Sequence, residues 1–107
     1  MEGNNNNIYL NFFQNTKCAV FILKNNSIDY ANKSSLQLFD YTESEILSLH
    51  PSELSPLYQQ DGELSSLKAD KMIKIAIQNG SHIFEWLHMK KNGVTFWTEI
   101  VLTSIKT

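Results

Sequence analysis

Residues 81–107 read SHIFEWLHMKKNGVTFWTEIVLTSIKT, two runs rich in β-branched and aromatic residues on either side of Asn92-Gly93. Asn-Gly accepts the positive φ angles of a tight hairpin turn, so this stretch predicts two long antiparallel strands. A loop of only those two residues places Lys91 opposite Val94 and, counting outward, Glu85 opposite Ile100. The rest of the chain must fold around this hairpin.

The two-residue loop predicts which side chains share a face of the hairpin. One face then carries Ile83, Glu85, Leu87, Met89, Phe96, Thr98, Ile100 and Leu102. The other carries Phe84, Trp86, His88, Trp97, Glu99, Val101 and Thr103. Both faces hold large apolar side chains, so each needs a cover. A bulge at Gly93 is the alternative; it would shift one strand and expose Glu85.

Length, charge and cysteine content limit the function classes. A chain of 107 residues suits one domain, and its net charge of -2 argues against a nucleic-acid partner. The single cysteine, Cys18, cannot form an internal disulfide, and no apolar run approaches a membrane span or a signal peptide. These features predict a cytoplasmic segment without membrane contact.

The first third of the chain predicts a flanking helix and a short hairpin. The Asn-rich residues 1–7 read as a disordered lead or linker, and the apolar spacing in residues 8–15 predicts an N-terminal flanking helix. Two strands follow, at 18–23 and 28–31, around the turn-forming residues 24–27. Asn32 lies where its side chain can cap the next helix.

The middle of the chain predicts short helices and one longer helix. Thr42 and Glu45 form a capping-box pattern, and the stretch after Ser65 or Ser66 predicts a helix that ends at Gly80. Its apolar face consists of Ala69, Met72, Ile73, Ala76 and Ile77. With the strands, this order predicts an α+β fold in which helices lie on one face of an antiparallel sheet.

Several motifs resemble the PAS (sensory box) domain family over about residues 12–105. They are Ile28-Asp29-Tyr30-Ala31-Asn32, Leu38 to Leu47, Leu54-Ser55-Pro56, Gln60-Asp61-Gly62, and Phe84-Glu85-Trp86 with Asn92-Gly93. Asp40 stands where a glycine is usual in the family. The resemblance is to the branch found in bacterial-type histidine kinases, diguanylate cyclases and chemoreceptors. It assigns residues 16–107 to a PAS domain and implies a five-stranded antiparallel sheet of order 2-1-5-4-3, with Leu47 to Leu54 as the candidate for its remaining strand.

A cavity between the longer helix and the hairpin is the predicted ligand site. Its candidate residues are Phe21, Met72, Ile73, Ala76, Glu85, Phe96 and Ile100. The ordinary alternative is that these side chains pack as a filled core. Glu85 on an apolar face would contact a ligand or find a structural partner.

Metal and cofactor chemistry has little support in the sequence. His82 and His88 are six residues apart on a strand, roughly 20 Å, which argues against a shared metal. The flavin-binding and haem-binding PAS branches are disfavoured, because no Gly-Arg-Asn-Cys motif is present and residues 65–79 contain no histidine. Cys18 reads as a buried or half-buried strand residue.

The resemblance implies a non-catalytic sensor or dimerisation module of a larger signalling protein. A small molecule or a partner would act through it on an effector such as a histidine kinase or a diguanylate cyclase. Two alternatives remain: an interaction scaffold with a filled core and no ligand, and a small enzyme that uses Glu85 with a histidine. Exposed apolar residues on the outer hairpin face and on the helix from Ile8 to Phe13 predict a homodimer.

Overall fold

A computed structural model describes residues 11–104, which belong to two compact units, residues 1–49 and 50–107. The lead at 1–7 and the first part of the flanking helix lie outside the described residues. In the first unit, α1 covers residues 11–15. It is followed by β1 (Phe21–Lys24), β2 (Ser27–Ala31), α2 (Lys33–Phe39) and α3 (Glu43–Ile46). The second unit contains a 3₁₀ turn (Pro51–Leu54), α4 (Ser65–Asn79), β3 (Ser81–Met89) and β4 (Thr95–Thr103).

The first unit is built on the predicted short hairpin. Asn25 and Asn26 both have positive φ, which suits a tight turn between β1 and β2. The register pairs Phe21 with Ala31 and shifts once, between Ile22 and Leu23. The strand predicted from residue 18 is too long, because β1 begins only at Phe21. The core of this unit consists of Ile28, Ala31, Phe39 and Ile46.

Local capping chemistry sets the ends of the short helices, as predicted. The Asn32 side chain accepts from the Ser35 N–H at the start of α2, and Asp40 ends this helix in the left-handed conformation at φ 64°. Thr42 and Glu45 form both bonds of a capping box at the start of α3. The resemblance placed Asp40 at a glycine position, and its positive φ explains how the aspartate fits there.

The strand proposed within Leu47 to Leu54 is wrong. The Ser48 N–H donates to the Ile28 carbonyl and the Ile28 N–H to the Leu49 carbonyl, each at 2.8 Å, but this pairing is only local. Pro51, which has no N–H, then begins the 3₁₀ turn. The described residues therefore hold four strands in two separate two-stranded sheets, β1-β2 and β3-β4, and the five-strand order 2-1-5-4-3 is not confirmed.

Helix α4 packs on the hairpin of the second unit. It ends at Gly80, φ 89°, as predicted, but neither Ser65 nor Ser66 caps its start. The Ser65 hydroxyl instead donates to the Pro56 carbonyl at 2.6 Å. Ala69 and Ala76 are buried, whereas Ile77 is 62% exposed and does not belong to the buried face.

The β3–β4 hairpin has a three-residue loop rather than the predicted two-residue loop. The Gly93 N–H donates to the Lys90 carbonyl at 2.9 Å and the Lys90 N–H to the Val94 carbonyl at 2.8 Å. Gly93 has φ 90°, so the turn closes with a glycine bulge. The register consequently shifts by one residue, and Glu85 pairs with Glu99 instead of Ile100. The bulge, left open as the alternative, is the observed arrangement.

This register defines two faces of the hairpin. The inner face consists of His82, Phe84, Trp86, His88, Phe96, Thr98, Ile100 and Leu102, all buried or half-buried. The outer face consists of Ser81, Ile83, Glu85, Leu87, Met89, Thr95, Trp97, Glu99, Val101 and Thr103. Most of these outer residues are exposed. No helix within residues 11–104 is long and apolar enough to cross a membrane.

Candidate functional site

The inner face brings together His88 with Phe96 and Thr98, although sequence reasoning had placed His88 on the opposite face from those two residues. His88 pairs with Phe96 across the strands, and its ring centroid lies 5.8 Å from that of Phe96. The Thr98 hydroxyl oxygen lies 2.8 Å from His88 Nδ1. Thr98 and His88 thus form a polar pair beside an aromatic wall. A three-residue loop in the sequence analysis would have placed His88 and Thr98 on the same face.

Burial controls the protonation of His88. Desolvation lowers the pKa of this imidazole to about 4, so it is neutral at pH 7. Thr98 donates its one hydroxyl hydrogen to the Trp86 carbonyl at 3.2 Å. With the hydroxyl hydrogen directed at that carbonyl, the neutral imidazole donates through Nδ1–H to the Thr98 oxygen, and Nε2 is the acceptor nitrogen. Such a group accepts a hydrogen bond from an O–H or N–H and carries no charge.

The predicted ligand residues occupy three different places. On α4, Ala76 is buried and Met72 and Ile73 are half-buried, and α4 packs on the hairpin that carries Phe96 and Ile100. Phe96 and Ile100 both lie on the inner face, as predicted. Phe21 lies in the first unit, where its ring centroid is 5.7 Å from that of Phe39. The second unit therefore holds five of the seven residues, three on α4 and two on the inner face of the hairpin.

Glu85 is the residue whose predicted position is wrong. It is exposed on the outer face, because the glycine bulge moves it out of the row of Ile100. There it lines a groove of about 380 Å³ with Trp97, Gln59, Gln60, Asp61 and Lys68. The enzyme hypothesis paired Glu85 with a histidine, but His82 and His88 lie on the opposite face. This part of the hypothesis fails on geometry.

Ion pairing neutralises the rim of that groove. Lys68 Nζ lies 2.7 Å from Asp61 Oδ2, and the Glu63 N–H donates to Asp61 Oδ1 at 3.0 Å. The hydrogen bond from Lys68 and that from the Glu63 backbone hold the pKa of Asp61 below its usual value. Glu85 is then the one groove carboxylate to which no described residue is ion-paired.

Buried polar side chains attach the loop before α4 to the hairpin. The Gln59 amide donates to the Leu87 carbonyl and its oxygen accepts from the Leu87 N–H, both at 3.0 Å. This pairing occupies the free edge of β3. The Trp86 indole N–H donates to the Ser55 hydroxyl oxygen at 2.8 Å, and both residues are buried. Neither Gln59 nor Ser55 has a sequence pattern that indicates these contacts.

His50 links the 3₁₀ turn to α4. Its Nε2 lies 2.7 Å from Asp70 Oδ1, and its Nδ1 lies 2.7 Å from the Ser52 hydroxyl oxygen. The Ser52 backbone N–H also donates to Nδ1, at 3.1 Å, which makes Nδ1 the acceptor and assigns the proton to Nε2. The imidazole therefore caps the turn, and its basic nitrogen is already used by the backbone.

Among residues 11–104, no cluster of three or more histidine, cysteine or acidic residues is arranged to hold a metal ion. Cys18 is exposed in a bend before β1, which corrects its predicted burial in a strand.

A sequence profile described as "PAS domain" matches residues 17–107. The chain belongs to the PAS domain family. PAS domains are in general sensory signalling modules without catalytic activity of their own. No curated protein sequence matches this PAS domain.

Solved PAS domains have the same fold. A PAS domain from a two-component sensor histidine kinase superposes with a TM-score of 0.80 at 17% identity, covering 100% of this chain and 88% of the other. A PAS domain from Colwellia psychrerythraea gives 0.79 at 18% identity, with 94% and 82% covered. A PAS domain of a LuxR-family transcriptional regulator from Burkholderia thailandensis, in complex with ethanol, gives 0.75 at 13% identity, with 92% and 83% covered.

Proposed function

We propose that this PAS domain is a sensor and dimerisation module of a larger cytosolic signal-transduction protein. It has no catalytic role of its own, and it couples a small molecule or a partner contact to an effector such as a histidine kinase or a diguanylate cyclase. The similarity to the PAS domain of a sensor histidine kinase supports this class of effector. The exposed free thiol of Cys18 is compatible with a reducing compartment.

The half-buried inner face of the hairpin is the observation that carries the sensor proposal. The buried residues of α4, Ser65, Ala69 and Ala76, are all small, and Phe84, Phe96 and Ile100 on the inner face stay partly accessible. The neutral His88 beside this apolar surface supplies one polar contact. An apolar wall with a few placed polar groups is typical of small-molecule sites. The fold relative from Burkholderia, solved with ethanol, supports a small organic ligand.

A scaffold with a filled core is the second candidate. Every buried side-chain nitrogen and oxygen within residues 11–104 has a hydrogen-bond partner in the protein, so none of these atoms requires a ligand as its partner. Native mass spectrometry of the purified protein separates the two candidates. A retained small molecule, absent from the denatured mass, favours the sensor.

The substitution Ala76→Phe tests the location of the ligand. Ala76 is buried on α4, so a phenyl ring there fills the space beside the inner face and removes ligand-induced thermal stabilisation. The matched control is Ile77→Phe, because Ile77 is the next residue of α4 but is 62% exposed; this variant should keep the ligand shift.

A different outcome of the same experiment supports the scaffold. If the parent protein shows no ligand shift and Ala76→Phe lowers the free energy of unfolding by about 1–3 kcal/mol through overpacking, the core is already filled. The sensor proposal then fails, and the interaction role remains.

A further inference from the structure

The strand β3 has one edge that β4 does not cover. The register pairs Leu87 with Trp97, yet the backbone N–H and carbonyl of Leu87 bind the Gln59 side chain, both at 3.0 Å. These two backbone groups therefore point away from β4. Backbone groups alternate in direction along an antiparallel strand, so those of Ile83 and Glu85 also point to the side away from β4.

The part of this edge formed by residues 81–85, here called the open edge, has no partner in the described part of the chain. Gln59 pairs with Leu87, and within residues 11–104 no other loop or side chain bonds to the backbone of Ile83 or Glu85. Ile83 is 60% exposed, and Glu85 is exposed as well. Each of them therefore offers an N–H donor and a carbonyl acceptor to an incoming chain.

Soluble proteins usually protect such an edge. Prolines, lysines, bulges or a covering loop prevent another strand from pairing with it. Residues 81–85 read SHIFE, with neither proline nor lysine, and the register with β4 is regular from Ser81 to Met89, so no bulge bends β3. The Gln59 amide covers the edge at Leu87 only. An edge that is covered at one residue and open beside it is suited to the addition of a strand.

The charges beside the open edge favour a basic partner. Glu85 pairs with Glu99 on the outer face, and within residues 11–104 no ion pair reaches either carboxylate. Like charges directly opposite each other on a sheet repel, whereas opposite charges attract. The nearby acid Asp61 is already paired with Lys68. A lysine or arginine opposite Glu85 on an added strand would therefore relieve a repulsion that the hairpin itself leaves uncompensated.

A groove next to Glu85 provides room for that cation. The groove has a volume of about 380 Å³. It is lined by Gln59, Gln60, Asp61, Lys68, Glu85 and Trp97. The Trp97 indole is 53% exposed and offers its ring to the cation and to the methylene groups that carry it. Because Gln59 lines the groove and also binds Leu87, the groove begins where the cover of the edge ends.

We propose that the open edge of β3 binds an extended basic segment of a partner protein, which adds to the hairpin as an antiparallel strand and places a lysine or arginine opposite Glu85. Ile83 and Glu85 supply the backbone hydrogen bonds, and the Glu85 carboxylate with the Trp97 ring favours the cation. This interaction rests on the proposed function only because it gives the partner contact a surface. The open edge is separate from the inner face, where the candidate ligand site lies.

A synthetic peptide tests the strand addition. The probe is a capped peptide of about seven alternating lysine and valine residues, long enough to span residues 81–85, and fluorescence anisotropy measures its affinity. The control peptide has the same sequence and charge but carries N-methyl groups on its lysine amides, which removes the hydrogen bonds to the open edge. The domain should bind the first peptide about tenfold or more tightly than the second.

Substitutions in the domain test the same contacts. Ile83→Pro removes an N–H that points away from β4 and places a ring against the incoming strand, so the affinity for the lysine–valine peptide should fall about tenfold or more. Ile83→Ala is the matched control, because it keeps the N–H and should retain most of the affinity. Glu85→Gln should weaken binding about two- to fivefold, whereas Glu43→Gln, at an exposed carboxylate of α3, should leave it unchanged. Circular dichroism verifies that each variant is folded.

Hydrogen exchange of the unsubstituted domain gives a test that needs no variant. The amides of Ile83 and Glu85 should exchange about tenfold or more slowly when the lysine–valine peptide is bound. Unchanged exchange, or equal binding of the N-methylated peptide, overturns the proposal, because charge attraction alone or nothing then holds the peptide. If Ile83→Pro instead converts a dimeric parent to a monomer, a second copy occupies the open edge, and the proposal is also overturned. The retained-ligand measurement is independent of these results, so the small-molecule sensor stands or fails separately.

Discussion

At the scale of single residues, Asn32 shows how one side chain organises a segment without regular structure. Its oxygen accepts from the Val20 and Ser35 N–H groups, and its nitrogen donates to the Phe13 and Cys18 carbonyls. The capping role follows from the sequence, because an asparagine stands between a strand and a helical pattern. The contacts with α1 (Phe13) and with the loop before β1 (Cys18 and Val20) do not, since no local pattern determines the path of that segment.

Asn32→Ala should lower the free energy of unfolding by about 3 kcal/mol, because it removes a cap and leaves buried backbone groups without partners. The matched control is Thr42→Ala at the exposed capping box of α3, which should cost about 1 kcal/mol. Urea unfolding of both variants measures the difference. Equal losses would mean that the loop contacts of Asn32 contribute nothing to stability.

His88 gives the inner face a pH dependence. Its folded-state pKa of about 4 lies below the ordinary value of 6.5, so the unfolded chain binds more protons between these values. The stability contributed by the neutral imidazole is complete above pH 6.5 and is lost as the pH falls toward 4. The loss at pH 4 amounts to roughly 3 kcal/mol.

His88→Phe removes the titrating group and keeps a ring beside Phe96. The free energy of unfolding of this variant should fall less between pH 7 and pH 4 than that of the parent, by roughly 2 to 3 kcal/mol. Denaturant titrations at a series of pH values measure the two curves. Parallel curves would show that His88 is accessible to protons in the folded state.

At the scale of elements, the turn of the β3–β4 hairpin determines which side chains share a face. Gly93 has φ 90°, and a Cβ added there meets no atom within 4 Å. Gly93→Ala should therefore cost about 1–2 kcal/mol from backbone conformation alone. Gly93→Asn is the control and should cost less, because asparagine adopts positive φ more readily. Thermal unfolding measures both, and an alanine variant as stable as the parent would argue against the bulge.

The same turn explains what the sequence could and could not predict. Alternation within each strand correctly grouped Phe84, Trp86 and His88 together, and Phe96 with Ile100. Cross-strand pairing depends on loop length, and Asn-Gly occurs in both two-residue and three-residue loops. One extra loop residue moved Glu85, which is one of the predicted ligand residues, to the outer face. The helix starts at Asn32 and Thr42 were predictable because capping is local, whereas Ser65 serves a contact with Pro56, nine residues earlier.

At the scale of the whole molecule, the PAS fold leaves its apolar side chains unevenly covered. The buried side chains include Phe39, Ile46 and Leu54, while Ile83, Trp97 and Val101 remain exposed on one face of a sheet. Scattered exposed apolar residues are ordinary, but an aligned group on one face indicates an interaction surface. The proposed homodimer accounts for this group.

Trp97→Ser tests the dimer at this scale. Light scattering of the parent at micromolar concentration should give twice the 12.3 kDa of the single chain. Trp97→Ser removes the largest apolar side chain of the outer face and should shift the measured mass toward that of one chain. Leu57→Ser is the matched control, since Leu57 is 70% exposed and lies outside the hairpin, so its loss should leave the mass unchanged. A parent that stays monomeric up to millimolar concentration would exclude the dimer, and equal effects of the two variants would place the contact elsewhere than on the outer face.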